Sequence, residues 1–436
     1  MRIVFLTPGT GSYYCGACMR DNALAMELHR SGHDVTIVPM YLPLILDETA
    51  LPGFEKIPVF FGGINVYLQQ KMGIFRKTPA ILDRLLNSTG LLRWAAGHSH
   101  MTSAREHGEM TLEMLQLDLG RFQKEWDKLL GWLEQSARPD VVCLSNALLA
   151  GFAAELKRRL GAPVVLFFQG EDTFLDHLPE PYRSRCWSVL KAQLAASDIL
   201  LAPSRYYAEF MRERLGLAPD SIQVVHNGIQ LDGFSVADAP PASPTIGYLA
   251  RMSREKGLEL LVDAFIILTR ELGDATARLK IAGAVTAGDQ RSIGELKRRI
   301  ASAGLASRVE WSPNVTREQK IAFLRSLTLF SVPTLYSEAF GLYVLEAMAC
   351  GIPVVQPESA AFPEIVGATG GGVCVPPRDA GALARAWQQL LGNAAQRASL
   401  GRAGRLGVEK HFSARTMGER FCVAAGSIRG RRLVHP

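Results

Sequence analysis

Long hydrophobic runs are missing from this sequence of 436 residues. No apolar stretch approaches the roughly 18 residues that cross a bilayer, and the opening MRIVFLTPG lacks the apolar core and cleavage site of a secretory signal. The net charge of +6 is too small to indicate a nucleic-acid-binding protein. We therefore expect a cytoplasmic protein, and its short basic clusters leave open a peripheral contact with the inner membrane face.

Metal-binding patterns are also scarce. Of the seven cysteines, only Cys15 and Cys18 share a CxxC spacing, and no second pair completes a zinc site. A redox pair and two unrelated structural cysteines both remain open. No Asp-x-Asp pair occurs anywhere in the sequence, so we expect a site that uses neither a metal ion nor another cofactor.

Short apolar runs alternate with helical stretches along most of the chain. The first half opens with a strand at 3–6, a glycine loop, a helix at 20–30 and a strand at 35–38. Such alternation is typical of a doubly wound parallel sheet of the Rossmann type. Further strands are predicted at 140–144, 163–168, 199–202, 246–249, 279–282, 309–311, 329–332 and 353–355.

A segment rich in small residues and proline, 235–244, divides the series of strands and is predicted to be a linker. The fold prediction is therefore α/β, with two Rossmann-like domains facing a cleft. The predicted domains are 1–238, 239–410 and a C-terminal helix at 411–436 that packs back on the first domain.

Between about 45 and 133 the pattern becomes helical, as at 81–86 and 111–133. This stretch carries three of the six tryptophans, Trp94, Trp126 and Trp132. We interpret it as an insertion in the first domain. It could cap a ligand site or form a subunit contact, and the sequence does not separate the two.

The segment SEAFGLYVLEAMACGIPVV, 337–355, carries the strongest local signal. Glu338 lies in a loop after a predicted strand, Gly341 allows a tight turn, and a helix is predicted from 342 to 350. That helix is apolar on most sides, which indicates burial. Glu346 within it needs hydrogen-bond donors if it is buried; the alternative is a surface glutamate.

The same turn places the backbone N–H groups of Phe340, Gly341 and Leu342 at a helix N-terminus, where phosphate binds readily. A second signal is GYLARMSREKG, 247–257, whose loop offers Arg251, Arg254 and Lys256 after a strand. Cations there could neutralise a diphosphate, although a charged loop alone is more often simply solvated.

Together these motifs resemble glycosyltransferase family four, which has the two-Rossmann GT-B fold and mostly retains anomeric configuration. The likeness extends through the second half of the chain and is looser in the first. The residues that carry it are Arg251 and Lys256 with EKG, the Glu338/Glu346 pair with the run EAMACGIPVV that begins at Glu346, Asn227-Gly228, 362–366, Phe412-Ser413 and, in the first half, 9–35.

The resemblance implies a role for each matching position. Arg251 and Lys256 would grip the diphosphate and Glu338 the donor sugar, which makes these three the catalytic set. Glu346 would hold the ribose. The remaining donor-binding positions would be Phe340, Gly341 and Leu342 through main-chain contacts, Asn314 and Val315 at the base, and Gly9 and Gly11 in a loop that approaches the phosphates; a plain strand-to-helix turn is the alternative for the two glycines.

The sequence departs from many relatives where histidines follow two strands of the first domain. Those places here contain CLSN, 143–146, and QGED, 169–172. We therefore consider Glu171 and Asp172 as acceptor-side residues, with the alternative that they form the start of a helix and its cap.

The expected function is a retaining, metal-independent glycosyltransferase of the hexosyltransferase type. The expected partners are a UDP-sugar or GDP-sugar donor and an acceptor that is a glycan, a lipid-linked sugar or a small metabolite. A sugar-nucleotide epimerase or hydrolase, or a sugar phosphorylase, could use the same fold. A non-catalytic nucleotide-sugar-binding subunit is a third hypothesis, and the intact charged set argues against it.

Overall fold

The computed structural model describes residues 1–9, 16–62, 104–117 and 119–432. The chain divides into two units, the first comprising 1–226 with 417–436, and the second comprising 227–416. The division therefore falls earlier than the predicted 238/239. The reason is that Ile229 donates its N–H to the carbonyl of Phe412 and accepts from the N–H of Ala414, at 3.0 and 2.9 Å, which ties the start and end of the second unit together.

The first unit is built on a six-stranded parallel sheet with the order β2-β1-β3-β4-β5-β6. Strands β3, β4 and β5 are buried at every position, as expected of a parallel sheet covered on both faces. The last strand was not predicted, because it is a three-residue edge strand. The bounds are β1 Arg2–Thr7, β2 Asp34–Pro39, β3 Val141–Leu144, β4 Val164–Phe167, β5 Ile199–Ala202 and β6 Ile222–Val224.

The helical stretch predicted at 111–133 is two helices rather than one, because Leu117 takes a left-handed backbone conformation with φ 46°. Trp126 is buried there, with its ring 5.6 Å from that of Phe152. The α-helices of the first unit are α1 Gly16–Arg30, α2 Ala104–Gln116, α3 Leu119–Trp132, α4 Ala153–Leu160, α5 Glu171–Asp176, α6 Tyr182–Leu194 and α7 Arg205–Leu215.

Parts of the sequence prediction lie outside the described residues, namely Gly11, Cys15, Trp94 and the helix at 81–86. Cys18, the other half of the CxxC pair, is buried within α1. A role for the pair thus stays a prediction.

The second unit contains a second six-stranded parallel sheet, ordered β12-β11-β10-β7-β8-β9. The predicted strand at 329–332 is only two residues long in the structure. β12 was not predicted, because its segment begins with glycines and its apolar run is only three residues long. The bounds are β7 Thr245–Leu249, β8 Arg278–Gly283, β9 Val309–Pro313, β10 Leu329–Phe330, β11 Val354–Pro357 and β12 Gly372–Val375.

Helices surround this sheet, and one hydrophobic core runs through the unit. The helix expected at 342–350 is present. The α-helices are α8 Leu258–Arg270, α9 Gln290–Ser302, α10 Arg317–Arg325, α11 Leu342–Ala349, α12 Phe362–Thr369, α13 Ala380–Leu391, α14 Ala394–His411 and α15 Ala414–Arg432, the last of which runs into the first unit. Within the described ranges no helix combines the length and apolarity that a membrane span requires.

Gly257 fixes the path of the chain between β7 and α8. It caps α8 in a left-handed conformation with φ 73°. A Cβ at this position would lie 1.8 Å from the carbonyl oxygen of Pro333. The EKG loop therefore needs a glycine for two reasons, its backbone conformation and the close approach of a second loop.

We predict that Gly257→Ala lowers the free energy of unfolding by several kcal/mol, because the new methyl group forces the two loops apart. Gly273→Ala is the matched control, since Gly273 has φ 75° but nothing within 4 Å of an added Cβ. The control should cost only about 1 kcal/mol of backbone strain. Equal losses of the two variants in urea unfolding would contradict the steric argument.

Candidate functional site

Three of the predicted site residues of the second unit, Arg251, Lys256 and Glu338, lie in the loops that follow the carboxyl ends of β7 and β10. These strands are parallel neighbours, with Phe330 opposite Gly247, so the loops that follow them leave the sheet side by side. The N–H of Leu335 donates to the carbonyl of Glu255 at 2.9 Å and joins the two loops directly. Adjacent strand ends therefore bring Lys256 and Glu338 together, although they lie far apart in the sequence.

Lys256 and Glu338 form a nearly buried ion pair. The Nζ of Lys256 lies 2.6 Å from Oε2 of Glu338, and the two side chains are 20% and 13% exposed. The phenol groups of Tyr336 and Tyr343 each donate to the same oxygen, Oε2, at 2.8 Å. Lys256 also donates to the hydroxyl of Tyr336, at 2.5 Å. One carboxylate oxygen thus receives three donors, and neither tyrosine was predicted from the sequence.

Electrostatics keep Glu338 ionised. Burial alone would raise its pKa, but the charge of Lys256 and the hydrogen bonds from Lys256, Tyr343 and Tyr336 outweigh burial and hold the pKa below its ordinary value. Burial and the neighbouring carboxylate raise the pKa of Tyr343 well above its usual range. The phenol of Tyr343 therefore keeps its proton at neutral pH and remains a donor.

Arg251 stands in the same loop as Lys256 but is much more exposed. Its side chain is 54% exposed, and its Nη2 lies 3.4 Å from Oδ1 of Asp289, a buried residue. The other oxygen of Asp289 accepts from the N–H and hydroxyl of Thr286, at 2.9 and 2.6 Å. Tyr248 supports the loop from below by donating to the carbonyl of Arg251 at 2.8 Å. The arginine is thus tethered at one side and open to solvent.

Glu346 is paired with a lysine that the sequence did not point to. Its Oε1 lies 2.6 Å from Nζ of Lys320, and the two side chains are 15% and 10% exposed. The donor that a carboxylate in an apolar helix requires is therefore an ammonium group on α10. The signal for Lys320 was weak, because a lysine on a helix is usually solvent-exposed.

Gly341 makes the turn that begins α11. It has φ 97°, and an added Cβ would lie 3.1 Å from the ring of Phe362. Phe340 is buried before it, and Leu342 is the first residue of the helix. The N-terminal end of α11, with its positive dipole, therefore lies next to Glu338 in sequence and in space.

Asn314 and Val315 follow β9, next to the loop that leaves β8. Asn314 has φ 54°, a conformation that asparagine tolerates. Its N–H donates to the carbonyl of Gly283 at 2.8 Å, and its side-chain oxygen accepts from the N–H of Val285 at 3.1 Å. Asn314 thus joins two loops at the sheet edge, while Val315 lines a surface cavity of about 410 Å³ beside α10.

The first unit places Gly9 directly after β1. It has φ 75°, and a Cβ would lie 1.8 Å from the carbonyl oxygen of Leu42. The carbonyl of Pro8 accepts from Tyr41 and Leu42 at 3.0 and 3.1 Å. A glycine is required here by a close backbone approach, and the choice between a phosphate-binding loop and a plain turn stays a prediction.

Glu171 and Asp172 are buried at the start of α5. Glu171 accepts from the N–H of Ala147 through one oxygen and from the N–H of Gln169 through the other, both at 2.8 Å. As in the sequence-based alternative, the two residues begin a helix, but its cap is Gly170 rather than a carboxylate residue. Burial raises the pKa of Glu171 in spite of these hydrogen bonds. The residue connects the loops that follow β3 and β4.

A buried ion pair at the same end of this sheet was not predicted. Arg20 and Asp21 are almost completely buried on α1, with Nη2 of Arg20 2.9 Å from Oδ1 of Asp21. Thr7 donates to Asp21 at 2.8 Å, and Arg20 donates to the carbonyl of Ser145 at 2.9 Å. The pair links the carboxyl ends of β1 and β3 to α1. Consecutive charges in a helix usually indicate a solvated face, which is why a buried pair was not predicted here.

Metal ligands are not assembled in the part of the chain that the structure describes, where no group of three or more histidine, cysteine or acidic side chains is placed to hold an ion. The site as described consists of paired charges instead, Arg251 with Asp289, Lys256 with Glu338 and Lys320 with Glu346.

Two family models match this chain in adjoining segments. The model described as Glycosyl transferases group 1 matches residues 234–407, and the model described as Glycosyltransferase Family 4 matches residues 106–232. With two parallel six-stranded sheets, the fold is of the GT-B class. The chain belongs to the family-four type of glycosyltransferases.

Curated relatives align with about half of this chain. A D-inositol 3-phosphate glycosyltransferase of Xylanimonas cellulosilytica is 32% identical over 240 residues, which cover 52% of this chain and 54% of that protein. A second protein of that name, from Catenulispora acidiphila, is 29% identical over 226 residues, 49% of this chain and 54% of its own. The chain thus matches about half the length of these relatives.

Solved structures support the fold over the whole chain. A sucrose-phosphate synthase from Thermosynechococcus elongatus aligns with a TM-score of 0.70 at 18% identity, covering 100% of this chain and 99% of that one. The Anabaena protein HepE, solved with UDP and glucose, aligns with a TM-score of 0.67 at 16% identity, covering 98% and 100%. These likenesses establish the fold and nothing finer.

The interaction of Lys320 with Glu346 should appear as a coupling between the two residues in the free energy of unfolding. We predict that Lys320→Met lowers the free energy of unfolding by about 3 kcal/mol, because it leaves a nearly buried carboxylate without its ammonium. Adding Glu346→Gln to Lys320→Met should recover about 1–2 kcal/mol of that loss. The matched control is the exposed pair Arg291 and Glu295, 92% and 53% exposed, whose coupling should be close to zero in the same urea titrations. A coupling no larger than this control would contradict the pairing.

Proposed function

We propose that this protein is an enzyme that transfers a sugar from a nucleoside-diphosphate donor to an acceptor hydroxyl, with retention of configuration and without a metal ion. The observation that supports this most is the ion pair of Lys256 and Glu338, with Arg251 in the same loop. A cation for a diphosphate and a carboxylate for sugar hydroxyls stand next to one another, which is the arrangement that a sugar joined to a diphosphate requires.

Charge development on the leaving group is the main barrier to such a transfer. As the bond between the anomeric carbon and the diphosphate oxygen breaks, negative charge grows on the phosphate. The ammonium of Lys256, the guanidinium of Arg251 and the N-terminal end of α11 would already be in place to meet that charge. In attack from the front face, the departing phosphate oxygen can itself accept the proton of the acceptor hydroxyl, so no protein base is needed.

The remaining donor contacts follow the family pattern. Glu346 would accept hydrogen bonds from the ribose hydroxyls, and Asn314 and Val315 would lie against the base. Main-chain groups of Phe340, Gly341 and Leu342 would complete the diphosphate and sugar contacts. UDP is the first candidate nucleotide, since HepE was solved with it, and GDP is the second.

The acceptor is assigned only by class. A glycan end, a lipid-linked sugar and a small metabolite are the candidates, and the names of the curated relatives favour a small phosphorylated polyol. Glu171 has both carboxylate oxygens engaged by backbone N–H groups, so its acceptor-side role would be to position the loops after β3 and β4. Asp172 accepts from Tyr207 at 2.7 Å and would be the residue nearer to the acceptor.

We predict that Arg251→Ala lowers turnover by about 100-fold or more, because the variant loses a cation that stabilises the leaving phosphate. The measurement is steady-state transfer with a donor that the wild-type protein uses. Arg402→Ala, an exposed arginine on α14, is the control and should leave turnover unchanged. Unaltered kinetics of Arg251→Ala would remove this residue from the mechanism.

For Glu346→Gln we expect weaker binding of both the free nucleoside diphosphate and the sugar nucleotide, since an amide replaces the carboxylate that accepts from the ribose. A thermal-shift screen of UDP, GDP and ADP with their sugar forms would first identify the base, because ligand binding raises the apparent melting temperature. Calorimetry with the selected nucleotide then compares wild type and variant. Undiminished affinity would contradict the ribose assignment, and the absence of any nucleotide hit would contradict the proposed function itself.

A further inference from the structure

Glu338 presents its two carboxylate oxygens very unequally. Oε2 receives Lys256, Tyr336 and Tyr343 at 2.6, 2.8 and 2.8 Å. Oε1 receives no hydrogen bond within the described part of the chain, and it is not among the buried atoms without a partner. It therefore retains accessible surface. A carboxylate held by one oxygen with the other left open is arranged to accept from a ligand.

The three donors come from different elements, which fixes the carboxylate in space. Lys256 belongs to the loop after β7, Tyr336 to the loop after β10 and Tyr343 to the first turn of α11. The ammonium of Lys256 also lies 4.9 Å from the ring centre of Tyr336 and 5.1 Å from that of Tyr343. The two rings thus enclose the ion pair, and movement of Glu338 would break contacts to all three elements.

We propose that Tyr336 and Tyr343 are positioning residues that hold Glu338 with Oε1 directed to a hydroxyl group of the donor sugar. This proposal rests on the proposed function, since it concerns the sugar part of the same donor site. Two neutral phenols add donors to Oε2 without adding a second positive charge, so the charge of Lys256 is not duplicated at the sugar. The tyrosines therefore affect sugar recognition and leave nucleotide recognition to other residues.

Loss of one phenol hydroxyl should weaken the hold on Glu338 without removing it, because two of the three donors to Oε2 remain. In Tyr343→Phe the ring remains against Phe330 and Phe362, whose centres lie 6.2 and 6.5 Å away, so the packing of the core is preserved. What is lost is one hydrogen bond to a charged group, and the carboxylate gains freedom to rotate. Tyr336→Phe removes the corresponding donor from the other side and serves as the second variant.

The test compares binding of UDP and of UDP-glucose by calorimetry in wild type, Tyr343→Phe, Tyr336→Phe and the double variant. We expect the affinity for UDP to stay the same and the preference for UDP-glucose over UDP to fall about tenfold per phenol removed. Tyr206→Phe is the matched control; its ring stacks on Phe210 in the first unit, and neither affinity should change. Equal losses for UDP and UDP-glucose would indicate a merely structural role and overturn the proposal, as would an unchanged preference.

A second measurement needs no donor and separates the proposal from the proposed function. Carbon-13 NMR of the glutamate carboxyls, with Glu338→Gln for assignment, follows the ionisation of Glu338 as the pH is lowered. The groups facing this carboxylate are Lys256, Tyr336, Tyr343 and, beneath them, Tyr248. Because the phenols stabilise the ionised form, each Tyr→Phe change should move the titration midpoint to higher pH.

An unchanged midpoint in both variants would overturn the positioning role whatever the protein binds. If the midpoint rises but the wild-type protein binds neither UDP nor UDP-glucose, the tyrosines do stabilise ionised Glu338. Their proposed role in recognising the sugar of a UDP-sugar would then be wrong. Failure of every nucleotide in the thermal-shift screen would instead contradict the proposed function.

Discussion

The ion pair of Lys256 and Glu338 is the contact on which the rest of the candidate site depends. A charge that is removed from water is tolerated only when an opposite charge and hydrogen bonds replace the lost hydration. The second unit meets this condition by joining two loops at adjacent strand ends, through the hydrogen bond from Leu335 to Glu255 and the approach of Gly257 to Pro333. The ion pair therefore depends on the close packing of the two loops, and the packing of the loops in turn requires that the two buried charges be paired.

The same rule accounts for the other charges of the site. Lys320 forms an ion pair with Glu346, and Asp289 forms one with Arg251. Each proposed ligand-binding charge therefore has a partner before any ligand is present. A site whose charges are balanced internally does not need a diphosphate in order to fold. These side chains differ in their exposure to solvent, and Arg251 is the most exposed of them. A mobile anion would meet that guanidinium first.

Sequence reasoning found the parts of the fold that depend on local pattern. Buried parallel strands such as β5 and the helix α11 with its glycine turn were located to within a residue or so, because apolar runs and glycine stops act over short distances. It missed β6 and β12, where a short edge strand or a glycine-rich start leaves little apolar signal. It also placed the domain boundary too late, since the pairing of Ile229 with Phe412 and Ala414 joins segments that are remote in sequence.

The candidate site shows the same division between local and remote information. The sequence pointed to Glu338, Glu346, Arg251 and Lys256 because these residues lie within short, recognisable motifs. The side chains that pair with them come from other elements of the fold. Tyr336 and Tyr343 look like ordinary core or loop aromatics in the sequence, and Lys320 looks like a solvated helix residue. Their roles exist only because β7 and β10 are neighbours and α10 faces α11. Motifs thus identify the groups that would touch a ligand, whereas the topology of the sheet decides which groups hold them in place. That distinction makes the positioning residues the natural place to look for differences in donor choice among proteins that share the same motifs.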